Sequence, residues 1–138
     1  MQNLLIDLKI IGRVESPLTD VESAPLQGDE GSPDAWLVFD EEIGEGLRDL
    51  QAGTDVILLT WLDRADRDIL AVHPRGDRNN PKQGVFSTRS PDRPNPIGLH
   101  RVTILSIDGR RFHVRNLEAV HQTPIIDVKP VIDRNAER

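Results

Sequence analysis

Polar side chains are concentrated in one proline-rich segment, residues 84–99, which reads GVFSTRSPDRPNPIGL. A strand-like run enters the segment, another leaves it, and three prolines lie within six residues between them. Each proline fixes its own φ and restricts the residue before it, so we expect Arg89, Arg93 and Asn95 to be held in place, with little entropy left to lose on binding a ligand. The alternative is a rigid strand connection whose arginines form surface ion pairs of little energetic value. The composition favours the ligand-binding interpretation.

A second segment, residues 116–130, reads NLEAVHQTPIIDVKP and joins a polar turn to a strand with ionisable side chains. In extended geometry Ile125, Asp127 and Lys129 share one side, and the two residues between them face the other. Asp127 and Lys129 are therefore predicted to be neighbours, either on a cavity-lining face or in a local surface salt bridge. The spacing alone does not separate these two alternatives.

The other familiar catalytic and binding patterns are absent from the sequence. No nucleophile elbow or Walker motif occurs, so hydrolysis by a nucleophile and phosphoryl transfer have no support. The run DEEIGEG at 40–46 is a poor match to a dinucleotide-binding turn, because Asp49 occupies the third glycine position and acidic groups crowd the turn. There is no Cys, and no close pair that would bind zinc or another metal occurs among the four histidines, His73, His100, His113 and His121.

The elements that must position these segments are mostly short strands. One helix is predicted at Ile43–Gln51, with Asp40 as its cap and Gly53 after it, and Asp108-Gly109 is a two-residue hairpin signal. Many short strands and one short helix favour a mainly β fold, a small closed or nearly closed antiparallel barrel with long functional loops. Residues 16–34 and 74–83 are the longest loops and are expected near the active surface. The predicted strands are Leu4–Val14, Ala35–Phe39, Val56–Leu62, Ile69–His73, Gly84–Thr88, Ile97–Ile107, Arg111–Leu117 and Ile125–Val128.

Length and charge limit the classes of protein. The 138 residues fit one domain, residues 1–138, without disulfides, membrane span or signal peptide, and we expect a cytoplasmic protein. Residues 1–63 carry 3 basic and 14 acidic groups and residues 64–138 carry 14 and 9. A net charge of −6 argues against a general duplex-DNA binder, whereas a local arginine surface is compatible with RNA or phosphate. Alternatively, the two charge classes neutralise each other on one surface.

Three segments together carry a family resemblance. Residues 84–98 resemble the signature G-V-F-[SA]-T-R-S-x-x-R-P-N-P-I-G of the TrmO family, also called TsaA-like proteins. Residues 123–130 resemble its T-P-[VIL]-[VIL]-D-[IV]-K-P motif, and residues 11–17 its N-terminal I-G-x-[IV]-x-S-P. The resemblance implies a small β-barrel that forms a homodimer and binds S-adenosylmethionine near the subunit interface. It also implies methyl transfer to N6 of N6-threonylcarbamoyladenosine, beside the anticodon of tRNA.

The resemblance further implies the site residues. Arg93 and Asn95 match the signature and are expected to position the substrate or to brace the loop, and Lys129 is assigned to the substrate as well. In particular, Arg89 is expected to contact the polar part of the cofactor, and Arg93 a tRNA phosphate or the threonyl carboxylate. The implied cofactor-binding residues are Leu26, Gln27, Leu62, Asp63, Arg89, Leu99, His121, Gln122, Thr123 and Pro124. Of these, Arg89, Thr123 and Pro124 lie inside close motif matches.

Two departures from the family pattern bear on the activity. His121-Gln122 replaces the usual Asp-Gly, which removes a carboxylate and a residue that adopts positive φ freely. The chain also ends soon after Lys129, whereas longer bacterial members continue into a C-terminal domain. Methyl transfer from a sulfonium requires alignment and proton removal but no covalent nucleophile, and His121 and Asp127 are the candidate bases. The alternatives are an S-adenosylmethionine-binding module without this activity, or a methyltransferase with another small-molecule or RNA substrate.

Overall fold

The computed structural model describes residues 4–19 and 32–132. In these ranges six strands form an antiparallel ring in the order β1, β2, β7, β6, β3, β8, and β8 pairs with β1 to close it. A separate two-stranded sheet pairs β4 with β5. The predicted mainly β barrel is therefore confirmed. The strands are β1 (Gly12–Glu15), β2 (Ala35–Phe39), β3 (Asp55–Trp61), β4 (Ala71–Val72), β5 (Gln83–Gly84), β6 (Ile97–Asp108), β7 (Arg111–Arg115) and β8 (Pro124–Pro130).

The core fills the barrel with alternate residues of the strands. Buried and partly exposed residues alternate along β2 and β3, as expected for strands with one face inside. Within this core, Phe39 and Phe112 meet edge to face with their ring centroids 5.3 Å apart. The buried apolar residues of the core are Val14, Ala35, Leu37, Phe39, Val56, Leu58, Val102, Ile104, Phe112, Val114, Leu117, Ala119 and Ile125.

The predicted helix is present only as a 3-10 helix, Glu41–Leu47, rather than an α-helix over Ile43–Gln51. Gly44 and Gly46 weaken helix formation, and the φ of +76° at Asp49 ends the run early. The apolar pattern nevertheless predicted the packing correctly, because residues 43, 47 and 50 lie against the core. None of the helices in the described ranges is long and apolar enough to cross a bilayer.

Four predicted strands are shorter than expected: Ile69–His73 is reduced to β4 and Arg111–Leu117 to β7, and the other two differ more. At the N-terminus only β1 forms, and residues 4–10 are exposed and without regular structure. The predicted strand Gly84–Thr88 is replaced by β5 and a 3-10 turn, Val85–Ser87.

A β-bulge in β8 changes which side chains face the core. Leu59 pairs with Asp127 and Thr60 with Ile125, so Ile126 is an extra residue in β8. Ile125 consequently lies fully buried inside the barrel, and the prediction that it shares a side with Asp127 is wrong.

The strand registers give the barrel two distinct ends. The segments 16–19, 62–68, 88–96 and 116–123 join strands at the same end, which we call the loop end. The opposite end, which we call the hairpin end, carries the 3-10 helix and the tight β6–β7 turn. That turn is Gly109-Arg110, one residue later than predicted, because Gly109 supplies the positive φ of 60° at its first position.

Candidate functional site at the loop end

Hydrogen bonds tie the segments of the loop end into one continuous rim. The proline-rich loop contacts the segment after β3, which contacts residues 16–19, which in turn contact the Thr-Pro turn. The proline-rich loop and the Thr-Pro turn, two of the three segments that carry the family resemblance, thus belong to the same end of the barrel. The connecting bonds run from Leu62 N to Pro96 O (2.8 Å), from Arg64 Nη1 to Thr19 O (3.1 Å) and from His121 N to Leu18 O (2.6 Å).

Arg93 braces the proline-rich loop from inside. Its Nε donates to the Ser90 carbonyl at 2.8 Å, and its Nη2 donates to the carbonyls of Val85 and Thr88 at 2.7 and 2.5 Å. Most of the guanidinium's donors are therefore used within the loop. This geometry supports the bracing role, and a contact between Arg93 and substrate stays a prediction.

Asn95 is held by Arg67, an arginine that lies outside the motifs of the sequence. Its Oδ1 accepts a hydrogen bond from Arg67 Nη2 at 3.2 Å, and Arg67 Nε donates to the Pro94 carbonyl at 2.7 Å. The same guanidinium lies over the Trp61 ring, 5.1 Å from its centroid. Arg67 thereby fastens the proline-rich loop to the end of β3.

Arg89 is the exception among the arginines of this loop. Its side chain is exposed and forms no hydrogen bond or ion pair with any residue of the ranges 4–19 and 32–132. The guanidinium is therefore available to bind a carboxylate or phosphate bidentately. Leu62 is half-buried, Asp63 is exposed and Leu99 is 48% exposed on β6. These residues are one cation, one carboxylate and two apolar side chains on segments of the loop end.

The Thr-Pro turn retains a left-handed residue despite the replacement of glycine. Gln122 has a φ of 70°, and its amide donates to the Val14 carbonyl at 2.7 Å. The Thr123 hydroxyl donates to the Val120 carbonyl at 2.7 Å, and both Thr123 and Pro124 are buried. Thr123 and Pro124 therefore shape the turn, whereas residues 121 and 122 reach its surface.

The two candidate bases both have hydrogen-bond partners. His121 Nδ1 accepts from the Ser16 amide at 3.2 Å, and His121 Nε2 lies 3.2 Å from the Gln122 side-chain Nε2. Asp127 lies on the outer face of β8, where it binds Lys129 Nζ at 3.0 Å and the Val128 amide at 2.9 Å. The predicted proximity of Asp127 and Lys129 is confirmed, in its salt-bridge form. A role for either base stays a prediction.

Leu26 and Gln27, also assigned to the cofactor, lie outside the described residues.

Comparison with known proteins decides the family. A sequence model described as the tRNA-methyltransferase O N-terminal domain matches residues 13–135. The chain belongs to the TrmO family. A protein of Archaeoglobus fulgidus named S-adenosyl-L-methionine-binding protein is 42% identical over 129 residues, covering 91% of both chains. A second A. fulgidus protein, named probable S-adenosyl-L-methionine-binding protein, is 42% identical over 127 residues. The match spans 92% of this chain but only 34% of that relative.

Solved structures of TrmO share the fold. The crystal structure of TrmO from Pseudomonas aeruginosa superposes with a TM-score of 0.74 at 22% identity, over 97% of this chain and 61% of that one. A further TrmO crystal structure gives a TM-score of 0.75 at 23% identity, over 99% of this chain and 62% of that one. This chain thus spans less than two thirds of these TrmO structures.

One buried polar cluster of this TrmO-family chain was missed in the sequence. His100 Nε2 lies 2.7 Å from the Thr60 hydroxyl, and His100 Nδ1 contacts the Glu118 carboxylate. Strand alternation in β6 places His100 on the same side as Val102 and Ile104 and was the available signal for its burial. Its partners are 40 and 18 residues away in sequence, so no local pattern connects them.

The outer face of β3 and β6 carries an apolar strip. Ile57, Leu59 and Trp61 alternate with core residues along β3, and Ile97 and Leu99 stand opposite on β6, 44% and 48% exposed. The Arg101–Asp55 ion pair lies at the hairpin end of this strip, and the Lys129–Asp127 ion pair lies beside it on β8.

One of these bordering ion pairs involves Asp55. Thr103 Oγ1 donates to its carboxylate at 2.6 Å and Arg101 Nε at 3.1 Å, and these two bonds lower the pKa of Asp55.

The structure also has a cleft away from the rim, and its described residues offer no metal site. A shallow cleft of about 260 Å³ lies at the hairpin end, lined by residues that include Leu50, Thr54 and Pro130. No group of three or more His, Asp or Glu side chains within 4–19 and 32–132 is arranged to hold a metal ion.

Proposed function

We propose that this protein binds S-adenosylmethionine at the loop end and transfers its methyl group to N6 of N6-threonylcarbamoyladenosine in tRNA. The observation that carries this proposal is that the proline-rich loop and the Thr-Pro turn belong to one hydrogen-bonded rim, which contains Arg89, a side chain without a partner among residues 4–19 and 32–132. The names of the relatives with 42% identity support the cofactor. Because tRNA is the proposed substrate, we expect the protein to act in the cytoplasm.

The chemistry of the rim fits such a cofactor. S-adenosylmethionine has a carboxylate, an amine, a nucleoside and a sulfonium whose methyl group is already activated for transfer. The Arg89 fork is suited to the carboxylate, and Leu62 and Leu99 offer apolar contact for the nucleoside. The exposed Asp63 carboxylate suits a hydroxyl or ammonium donor. The turn His121–Pro124 completes this set.

Proton removal is the step for which the chain offers the fewest suitable groups. The N6 nitrogen of the acceptor is a weak nucleophile because its lone pair is delocalised, so its proton must leave as the N–CH3 bond forms and the S–CH3 bond breaks. His121 lies on the rim but its Nδ1 lone pair is engaged by Ser16. It can act as a base only after that contact opens. Asp127 can act only after it leaves Lys129. Water and the carboxylate of the cofactor are the remaining acceptors.

A charged arm supports tRNA as the partner. Residues 70–93 contain five basic and two acidic residues in a chain of net charge −6. Within this arm Phe86 is 76% exposed, although Val85 beside it is fully buried. The 3-10 turn is fixed by bonds from Ser87 Oγ to Gly84 O and from Thr88 N to Val85 O, at 2.9 and 3.0 Å. Single-stranded RNA loops bind to surfaces that combine cations with rigid aromatic side chains.

The apolar strip supports a homodimer. Large exposed apolar patches on a soluble protein mark interaction sites, and this strip is continuous across two strands. Leu99 belongs both to the strip and to the predicted cofactor residues. A dimer formed through the strip therefore brings the second subunit close to the cofactor.

Two measurements test the proposed function. Calorimetric titration of the wild-type protein with S-adenosylmethionine tests the site, and Arg89→Ala is expected to weaken binding at least tenfold while the folding transition stays unchanged. Arg78→Ala is the matched control, because it removes an exposed arginine from the same arm. Mass spectrometry of tRNA nucleosides from cells lacking the gene tests the substrate, and the methylated threonylcarbamoyladenosine is expected to disappear. Wild-type affinity in Arg89→Ala removes that residue from the site.

The second candidate is a cofactor-binding module without methyl transfer. It is favoured by one observation, the His121-Gln122 pair with its engaged Nδ1, which leaves the turn without a free base. In that case wild-type protein binds S-adenosylmethionine, and tRNA from the deletion strain retains the methylated nucleoside.

A further inference from the structure

A polar network lies inside the barrel beneath the loop end. Thr60 of β3 is fully buried, His100 of β6 is 5% exposed, and the Glu118 side chain from the 116–123 segment is 16% exposed. Thr60 Oγ1 and His100 Nε2 are 2.7 Å apart, and His100 Nδ1 contacts Glu118 Oε1. Every side-chain N or O atom buried in the described ranges has a hydrogen-bond partner, and these three residues satisfy one another.

The partners fix the direction of the hydrogen bonds. A carboxylate only accepts, so His100 Nδ1 carries the proton that faces Glu118. In the neutral imidazole Nε2 is then the acceptor, and the Thr60 hydroxyl donates to it. Both ring nitrogens are thus committed, and the imidazole has one orientation.

The backbone makes room for this arrangement at one position. A Cβ on Gly98 would lie 2.7 Å from His100 Nε2 and would also contact Thr60 Oγ1. The last glycine of the proline-rich signature is therefore required by the network, because any side chain there displaces the His100–Thr60 contact.

Stability alone gives little reason for such a network. Replacing buried ion pairs by well-packed apolar residues is often neutral or stabilising, whereas removing one partner is costly. Buried, fully satisfied polar networks do fix the relative positions of the segments they join.

The segments joined here are the ones that carry the predicted cofactor residues. Thr60 precedes Leu62 by two residues, His100 follows Leu99 directly, and Glu118 precedes His121 by three. The network therefore connects three parts of the rim through the barrel interior.

We propose that Thr60, His100 and Glu118 are the positioning residues of the cofactor site, which set the Thr-Pro turn against the ends of β3 and β6. This inference rests on the proposed binding of S-adenosylmethionine at the loop end. The three side chains act through the rim residues they position.

Paired variants test this role. Thr60→Val and Glu118→Leu each remove one hydrogen bond while filling similar volume, and Thr60→Ser and Glu118→Gln retain the hydroxyl or the acceptor oxygen. In calorimetric titration with S-adenosylmethionine, we expect the first pair to bind at least tenfold more weakly and the second pair to recover to within about threefold of wild type. Asp55→Asn is the control, because it alters a hydrogen-bonded carboxylate on the outer face of β3.

Hydrogen exchange adds a readout that needs no cofactor. The Gln122 amide donates to the Val14 carbonyl of β1, and the Thr123 amide donates to the Val120 carbonyl within the turn. Both amides are expected to exchange at least tenfold faster in Glu118→Leu than in Glu118→Gln. The proposal is overturned if Thr60→Val and Glu118→Leu keep the wild-type affinity and exchange rates. It is also overturned if Thr60→Ser and Glu118→Gln bind the cofactor no better than the first two variants. If Glu118→Leu fails to fold, Thr60→Val alone still tests the proposal, because Val fits the fully buried position of Thr60. Absence of binding by the wild-type protein overturns the proposed function itself, and this inference with it.

Discussion

Gln122 holds a left-handed backbone, with a φ of 70°, in the turn that leads into Pro124. This conformation costs a residue with a Cβ roughly 1–2 kcal/mol, whereas glycine costs about 0.5–1 kcal/mol in lost chain entropy. We therefore expect Gln122→Gly to raise the free energy of unfolding by about 0.5–1 kcal/mol, measured by urea denaturation. Gln122→Ala is the control and should give no gain. A lower stability for the glycine variant would mean that the glutamine side chain stabilises the turn.

Gly98 is expected to be intolerant of any side chain. Because an added Cβ would lie 2.7 Å from His100 Nε2, we expect Gly98→Ala to lower the free energy of unfolding by about 2 kcal/mol through overpacking. Gly44→Ala is the matched control, since no atom lies within 4 Å of its added Cβ. Equal stability of the two variants in urea denaturation would refute the steric explanation.

At the scale of elements, the pairing of β3 with β6 depends on pH through Asp55. Its pKa is lowered by bonds from Thr103 and Arg101, so its contribution is complete at neutral pH and is lost as the pH falls through the folded-state pKa, below 3.8. We expect Asp55→Asn to cost about 0.5 kcal/mol at pH 7 and the difference from wild type to shrink below about pH 4. Urea denaturation at pH 7 and pH 3 measures this, with the exposed Asp40→Asn as control. A difference that is constant with pH would exclude the carboxylate as its cause.

The exposed Phe86 in the arm formed by residues 70–93 is predicted to bind RNA. Stacking of a base on an aromatic residue contributes about 1–3 kcal/mol, so Phe86→Ala is expected to weaken binding of a tRNA anticodon stem-loop about tenfold. Phe86→Trp should retain the affinity, and Ile107→Ala removes an exposed apolar residue near the hairpin end as a control. A change of oligomeric state with unchanged RNA affinity would instead assign Phe86 to a protein interface.

The strands were more predictable than the details that position the site. β2 was predicted with its correct bounds because a run of five apolar residues lies between turn residues. The bulge at Ile126 was not predictable, since it depends on the register that β3 imposes on β8. Likewise, Arg93 matches the family signature, yet its bracing role follows only from where the carbonyls of the loop point. Local patterns specify the elements, and long-range pairing specifies what their side chains contact.

At the scale of the molecule, the barrel mixes the acidic and basic halves of the chain. In the ring order, β1, β2 and β3 come from the acidic half, and β6, β7 and β8 from the basic half, so strands of the two halves become neighbours. Ion pairs cross between them, Arg111 with Glu15 and Arg101 with Asp55, each at 3.1 Å. The charge asymmetry seen along the sequence is thus partly neutralised on the surface, as one of the two interpretations predicted.

The apolar strip predicts the assembly state. Leu59 lies at its centre opposite Leu99, and a charge there would remain buried in a dimer formed through the strip. We expect Leu59→Glu to give a monomer in size-exclusion chromatography with light scattering, where the wild type gives a dimer. Leu8→Glu, which adds the same charge at an exposed residue outside the barrel, is the control. A wild-type monomer would contradict this role of the strip.

The tight turn at Gly109-Arg110 sits at the far end of the barrel from every described residue assigned to the cofactor. A short peptide or fluorophore grafted there would stand clear of the rim. Immobilising the protein on a sensor surface through that position would orient the loop end of every copy toward the flowing solution. Titrations with nucleoside or RNA would then report on the site rather than on the support.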